Sequence, residues 1–84
     1  MRYSAHIESV HWYEPLFTSS DVEIVRYPDR IVFGSLTLPI VLQDEHSVTA
    51  RTRDMSFSAV DSHFVFNGIA GEGSGVWTKQ EGTD

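Results

Sequence analysis

Four histidines and twelve carboxylates, with no cysteine, set the chemistry open to this chain of 84 residues. His6, His11, His46 and His63 are its only soft metal ligands. His6 and Glu8 stand two apart, on one face of an extended strand, and a third ligand from another strand would complete a zinc- or iron-type site. Such sites need three converging ligands and the spacing supplies two, so the expectation is no bound metal and no cofactor. Asp61-Ser62-His63 holds the residue types of a hydrolytic triad. Neighbours in a strand point to opposite faces, however, and no nucleophile elbow surrounds Ser62. A carboxylate pair working on a glycoside needs a concave pocket that so short a chain barely encloses. The expectation is a protein that is not an enzyme.

Gly71, Gly73 and Gly75 alternate just before Val76-Trp77. A phosphate-cradling loop would need a helix start after the glycines, and nothing beyond Gly75 reads as one. Two readings are preferred to phosphate binding: a strand with one bare face against which an aromatic ring or another backbone packs, or a mobile contact loop. Thr49, Arg51 and Arg53 form a strip with about 7 Å between successive side chains, able to grip a carboxylate or phosphate or to pair across a sheet. Asp21 and Glu23 make the matching acidic strip, and Asp44-Glu45 a second acidic knot. The pair Trp12-Tyr13 sends one ring to each face, and exposed Trp or Tyr beside Arg dominates protein interfaces.

The elements that must position these groups read as strands. Ile31 to Leu42 is the longest apolar-rich run, with Leu36, Leu38, Ile40 and Leu42 at every second position. Ile31 and Phe33 hold the other phase, so the run reads as one long strand bent near Gly34. Pro39 cannot donate to a ladder, which places its strand at a sheet edge or a bulge, with Val41 in the wrong phase for the core. A hydrophobic edge of this kind either docks another chain or is blunted by its proline.

Tyr3, Ala5 and Ile7 share one phase and Val10 and Trp12 the other, which sets a bulge at Glu8-Ser9, and Pro15 ends the strand. Leu16 to Ser20 is a connection. Ser20 and Glu23 mimic a capping box, but β-branched residues and Pro28 make Val22–Tyr27 a strand. Turns follow at Pro28-Asp29, Gln43–His46 and Asp54, and Asn67-Gly68 is the strongest hairpin signal. Met55, Phe57 and Ala59 share a face, and strands follow over Ser62–Phe66 and from Ile69 to Thr78. Six or seven short strands without an amphipathic helix predict an all-β, single-domain antiparallel barrel or sandwich over residues 1–78, with a polar tail over 79–84.

A chain of this size buries only about 60–65% of its unfolded surface, so its stability is modest. Its lack of cysteine fits a reducing compartment, its first residues lack a signal-peptide core, and no window is apolar enough for a membrane span. The expected location is the cytoplasm. Twelve carboxylates against six Lys and Arg give a net charge of −6, which disfavours direct nucleic-acid binding. Five of the six cations are Arg, the residue of specific ion pairs.

The profile therefore points to an acidic protein-binding module. One form of it is an inhibitor of the kind phages use, filling the basic nucleic-acid channel of a host enzyme. Its contact residues would be Asp21, Glu23, Asp44, Glu45, Pro39, Val41, Trp12, Tyr13, Arg51 and Arg53. The alternatives are a structural subunit that forms a homo-oligomer through the Leu38–Leu42 edge, and a small-ligand or metal-dependent β-barrel enzyme.

Overall fold

The computed structural model describes residues 1–14 and 19–80. Eight strands follow one another: β1 (Arg2–Trp12), β2 (Asp21–Arg26), β3 (Arg30–Phe33), β4 (Leu36–Gln43), β5 (Ser47–Arg51), β6 (Met55–Val60), β7 (His63–Gly68) and β8 (Gly71–Lys79). Each pairs antiparallel with the next, and β8 returns to β1, so the sheet closes into a barrel. The all-β antiparallel expectation holds, with eight strands in place of six or seven, and of the barrel and the sandwich it is the barrel that forms. Part of the Leu16–Ser20 connection and most of the 79–84 tail lie outside the described residues.

The extra strand comes from the central run. Gly34 adopts φ 63° and opens a two-residue loop, the place where tight hairpins take glycine. Phe33 then pairs with Leu36, and Ile31 with Leu38. The predicted long bent strand is instead the β3–β4 hairpin. The phase change read as a bend is a chain reversal that keeps Ile31, Phe33 and Leu38 all buried. A bulge between Ile40 and Leu42 then turns Leu42 outward, where it is 72% exposed, so it does not share the inner face with Leu38.

An eight-stranded barrel is just wide enough for side chains to fill. Here large residues alternate with small ones across the strands, as a narrow interior requires. Phe64 lies between Ala59 and Gly75, Phe66 between Phe57 and Gly73, and Trp77 beside Ala5. The three alternating glycines of β8 are therefore inward and part of a strand with one bare face, the first of the two readings. A Cβ on Gly73 would lie 2.7 Å from Phe66 Cζ, and one on Gly75 2.8 Å from Phe64 Cζ. Phe33 meets Phe57, Phe64 and Phe66 at centroid distances of 5.3–6.2 Å. Among the described residues, no polar or charged side chain is buried.

Candidate contact surface

With the interior filled by apolar rings, functional groups are confined to the wall's outer face and to the two mouths of the barrel. At one mouth three segments are stitched together. Tyr13 and Glu14, just past β1, donate backbone N–H groups to the Ala70 carbonyl at 2.8 and 2.9 Å. Ile69, in the β7–β8 turn, donates to the Asp54 carbonyl at 3.0 Å. Thr52 Oγ1 accepts the N–H groups of Asp54 and Met55 at 3.2 Å, which fixes the β5–β6 loop. This backbone mesh presents Tyr13 (62% exposed), Ile69 (74% exposed), Arg51 and Arg53.

Beside Arg53 and Ile69 runs a shallow groove. A hollow of about 250 Å³ lined by Arg53, Asp54, Asn67 and Ile69 adjoins one of about 320 Å³ lined by Ser58, Val65, Glu72 and Ser74. Ser56 and Asn67 line both. The register explains the continuity: Arg51, Ser56, Asn67, Glu72 and His11 form one outward row across five strands. Small hydroxyl side chains make the floor and larger ones the walls.

The ten contact residues expected from sequence separate into five places. Tyr13, Arg51 and Arg53 meet at this rim. Arg53 lies in the loop after β5, so the expected three-residue strand strip is shortened to Thr49 and Arg51. Trp12 turns inward and stacks on Phe66 at 5.5 Å, which removes it from the contact surface. The bulge at Glu8-Ser9, visible as a register shift between Ile7 and Ser9, is what brings Trp12 to the inside.

Asp21 and Glu23 sit on the outer face of β2, but their partners are on β1. Glu23 accepts from Arg2 Nη1 at 2.7 Å, and Asp21 lies 2.9 Å from His6 Nδ1. The acidic strip is thus matched by Arg2 and His6 and not by Arg51 and Arg53. Neither of those two arginines has a carboxylate partner among the described residues. His6 and Glu8 share no third ligand, and no group of three His, Asp or Glu among the described residues is placed to hold a metal ion.

Asp44 and Glu45 lie at the opposite mouth, in the β4–β5 turn. Asp44 accepts the N–H groups of His46 and Ser47 at 2.8 and 2.9 Å. Those hydrogen bonds, His46 first, hold its carboxyl below the ordinary value of 3.8. Asp44 is a turn-forming residue, while Glu45 is exposed.

Pro39 and Val41 lie on β4, away from both mouths. Ile40 donates to Asp29, so the missing Pro39 N–H faces β5, whose pairs with β4 begin only at Ile40. Proline stands where the ladder stops, within a closed wall, and not on an open sheet edge.

The sequence reading missed Ile69 and Asn67. It placed the β7–β8 reversal at Asn67-Gly68, whereas the chain turns at Ile69-Ala70, after Gly68 has paired with Gly71. The backbone at Gly68 lies against the Asp54 carbonyl, a close approach that explains this glycine without a turn. No family model, curated protein or solved structure matches this chain.

Proposed function

We propose that this protein is a binding module that acts by protein–protein contact through the Tyr13–Arg51–Arg53–Ile69 rim. The observation that carries the reading is that these four exposed side chains, from three segments of chain, share one mouth of the barrel, where Arg53 and Ile69 line a groove. Tyr and Arg are the residues that most often dominate binding energy, and an exposed Ile adds apolar area that only a partner would cover. The filled interior supports it too, because a barrel packed with phenylalanine leaves only its mouths and outer wall for contact. Outward positions carry Ser, Thr, His and charged side chains, the reverse of the apolar outer band of a lipid-spanning barrel.

The net charge of −6 favours encounter with a basic partner, and the two arginines would then set register against carboxylates within the contact. An inhibitor that occupies a basic nucleic-acid channel is the specific form of this proposal. The test is affinity capture from the source cell with the wild-type chain and with the double variant Arg53→Glu, Ile69→Ser. The expected result is a basic protein retained by the wild type, released as salt rises, and lost with the double variant. A partner retained equally by both would remove the rim from the proposal.

A second reading, self-association, rests on the outer wall beyond the rim, where Ser58, Val65 and Ser74 also line the groove. Leu42, Val60 and Val65 are exposed on β4, β6 and β7, with Thr49 and Ser58 between them and no charged residue in the row from Leu42 to Ser74. An uncharged face suits a pair of chains that otherwise repel each other. Light scattering would show a dimer that Val60→Lys dissociates.

A further inference from the structure

We propose that the barrel mouth opposite the contact rim is a binding site for a small aromatic monocarboxylate, held by Arg26. Along β2, Val22 and Ile24 face the core, and Arg26 continues the same phase, opposite buried Ile31. Its side chain therefore enters the mouth where the apolar filling ends, and it is half-buried there. The guanidinium is held in place by a relay: Nη2 donates to Gln43 Oε1 at 2.9 Å, and Gln43 Nε2 donates to the Pro28 carbonyl at 3.1 Å. Among the described residues no carboxylate forms an ion pair with Arg26, although the chain has twelve. A half-buried, oriented and permanently charged fork without its own counter-ion is matched to a planar oxyanion.

The space beside it is shaped accordingly. Hollows of about 610 and 120 Å³ adjoin at this mouth, and Tyr3, Arg26 and Glu45 line both. Tyr27 completes one wall of the larger hollow. Tyr3 is stacked on Trp77 at 4.1 Å, and Tyr27 lies under the Arg30 guanidinium at 4.0 Å. Each ring is thus braced from one side, which leaves two fixed aromatic walls about a cation. Glu45 on the lip, Asp44 beside it and Asp61 in the smaller hollow add negative charge, which opposes any anion and penalises a polyanion such as phosphate more than a single carboxylate.

The test uses benzoate, benzamide and inorganic phosphate as probes, titrated into the full chain and followed by amide chemical shifts of Arg26, Tyr27 and Asp44. Benzoate is expected to saturate these shifts in the millimolar range, with benzamide and phosphate much weaker. Arg26→Gln should weaken benzoate about tenfold. Glu45→Gln, on the exposed lip, should strengthen it about threefold by removing one opposing charge. The proposal is overturned by an absence of saturation, by benzamide or phosphate binding as well as benzoate, or by undiminished binding to a folded Arg26→Gln. Should that variant not fold, Glu45→Gln decides, and unchanged or weaker binding overturns the site.

Discussion

Gly75 is the residue on which the inner packing turns most sharply. A methyl group there would meet both the His6 carbonyl oxygen and Phe64 Cζ, the first of them backbone that cannot swing aside. Gly75→Ala is therefore expected to cost about 2–3 kcal/mol, the range for overfilling a packed core. Gly34→Ala, whose left-handed φ of 63° is the issue and not space, should cost about 1 kcal/mol. Urea titration of the two variants separates close approach from backbone conformation. Asp44 gives a pH signature at the same scale. Its folded carboxyl titrates below its ordinary value, so its contribution is fully present above pH 3.8 and fades as pH falls through the lower folded value. Asp44→Asn should lower Tm at neutral pH and flatten the fall in Tm between about pH 5 and pH 2. An unchanged acid limb in the variant would show that other carboxylates control it.

At the level of the elements, alternation was legible wherever a strand has one dry and one wet face. β5 and β6 read correctly because Val48, Ala50, Met55, Phe57 and Ala59 are all buried at every second position. The bulge at Glu8-Ser9 was legible because Ile7 and Trp12 cannot share a face without one. The β3–β4 hairpin was not, because its loop is one glycine and one serine, and apolar residues flank it on both sides. A reversal that short leaves the same trace as a kink. The rim was half legible: Tyr13 and the arginines by residue type, Ile69 only through the register. Pro39 tests the difference between an edge and a ladder end. Since its absent N–H lies beyond the end of the β4–β5 ladder, Pro39→Ala should shift stability by less than about 1 kcal/mol, the scale of lost unfolded-state restriction. It should leave the molecular mass in solution unchanged. A change of oligomeric state on this substitution would restore the open-edge reading of β4.

For the whole molecule, closure couples every strand to one core. All neighbours in the wall are also neighbours in sequence except β1 and β8, whose pairing seals the barrel. A chain of this size has a net stability of about 4–12 kcal/mol, and the aromatic cluster of Phe33, Phe57, Phe64, Phe66 and Trp77 spans β3, β6, β7 and β8. No subset of strands retains a dry interior once that cluster opens. Unfolding should therefore be two-state, with tryptophan fluorescence, which reports Trp12 against Phe66 and Trp77 against Tyr3 and Phe57, coinciding with far-ultraviolet dichroism. Phe57→Ala removes a ring that touches Phe33, Phe64 and Trp77 at 5.6 Å. Its cost of about 3–5 kcal/mol consumes from about a quarter to all of that stability, and most of it at the lower end of the range. The variant should show collapsed amide dispersion at 37 °C, whereas Val65→Ala on the outer wall should shift stability by no more than about 0.5 kcal/mol. If Phe57→Ala kept native dispersion, or if the two optical transitions separated, the barrel would contain a part that stands without its core, and the contact rim could then be studied apart from it.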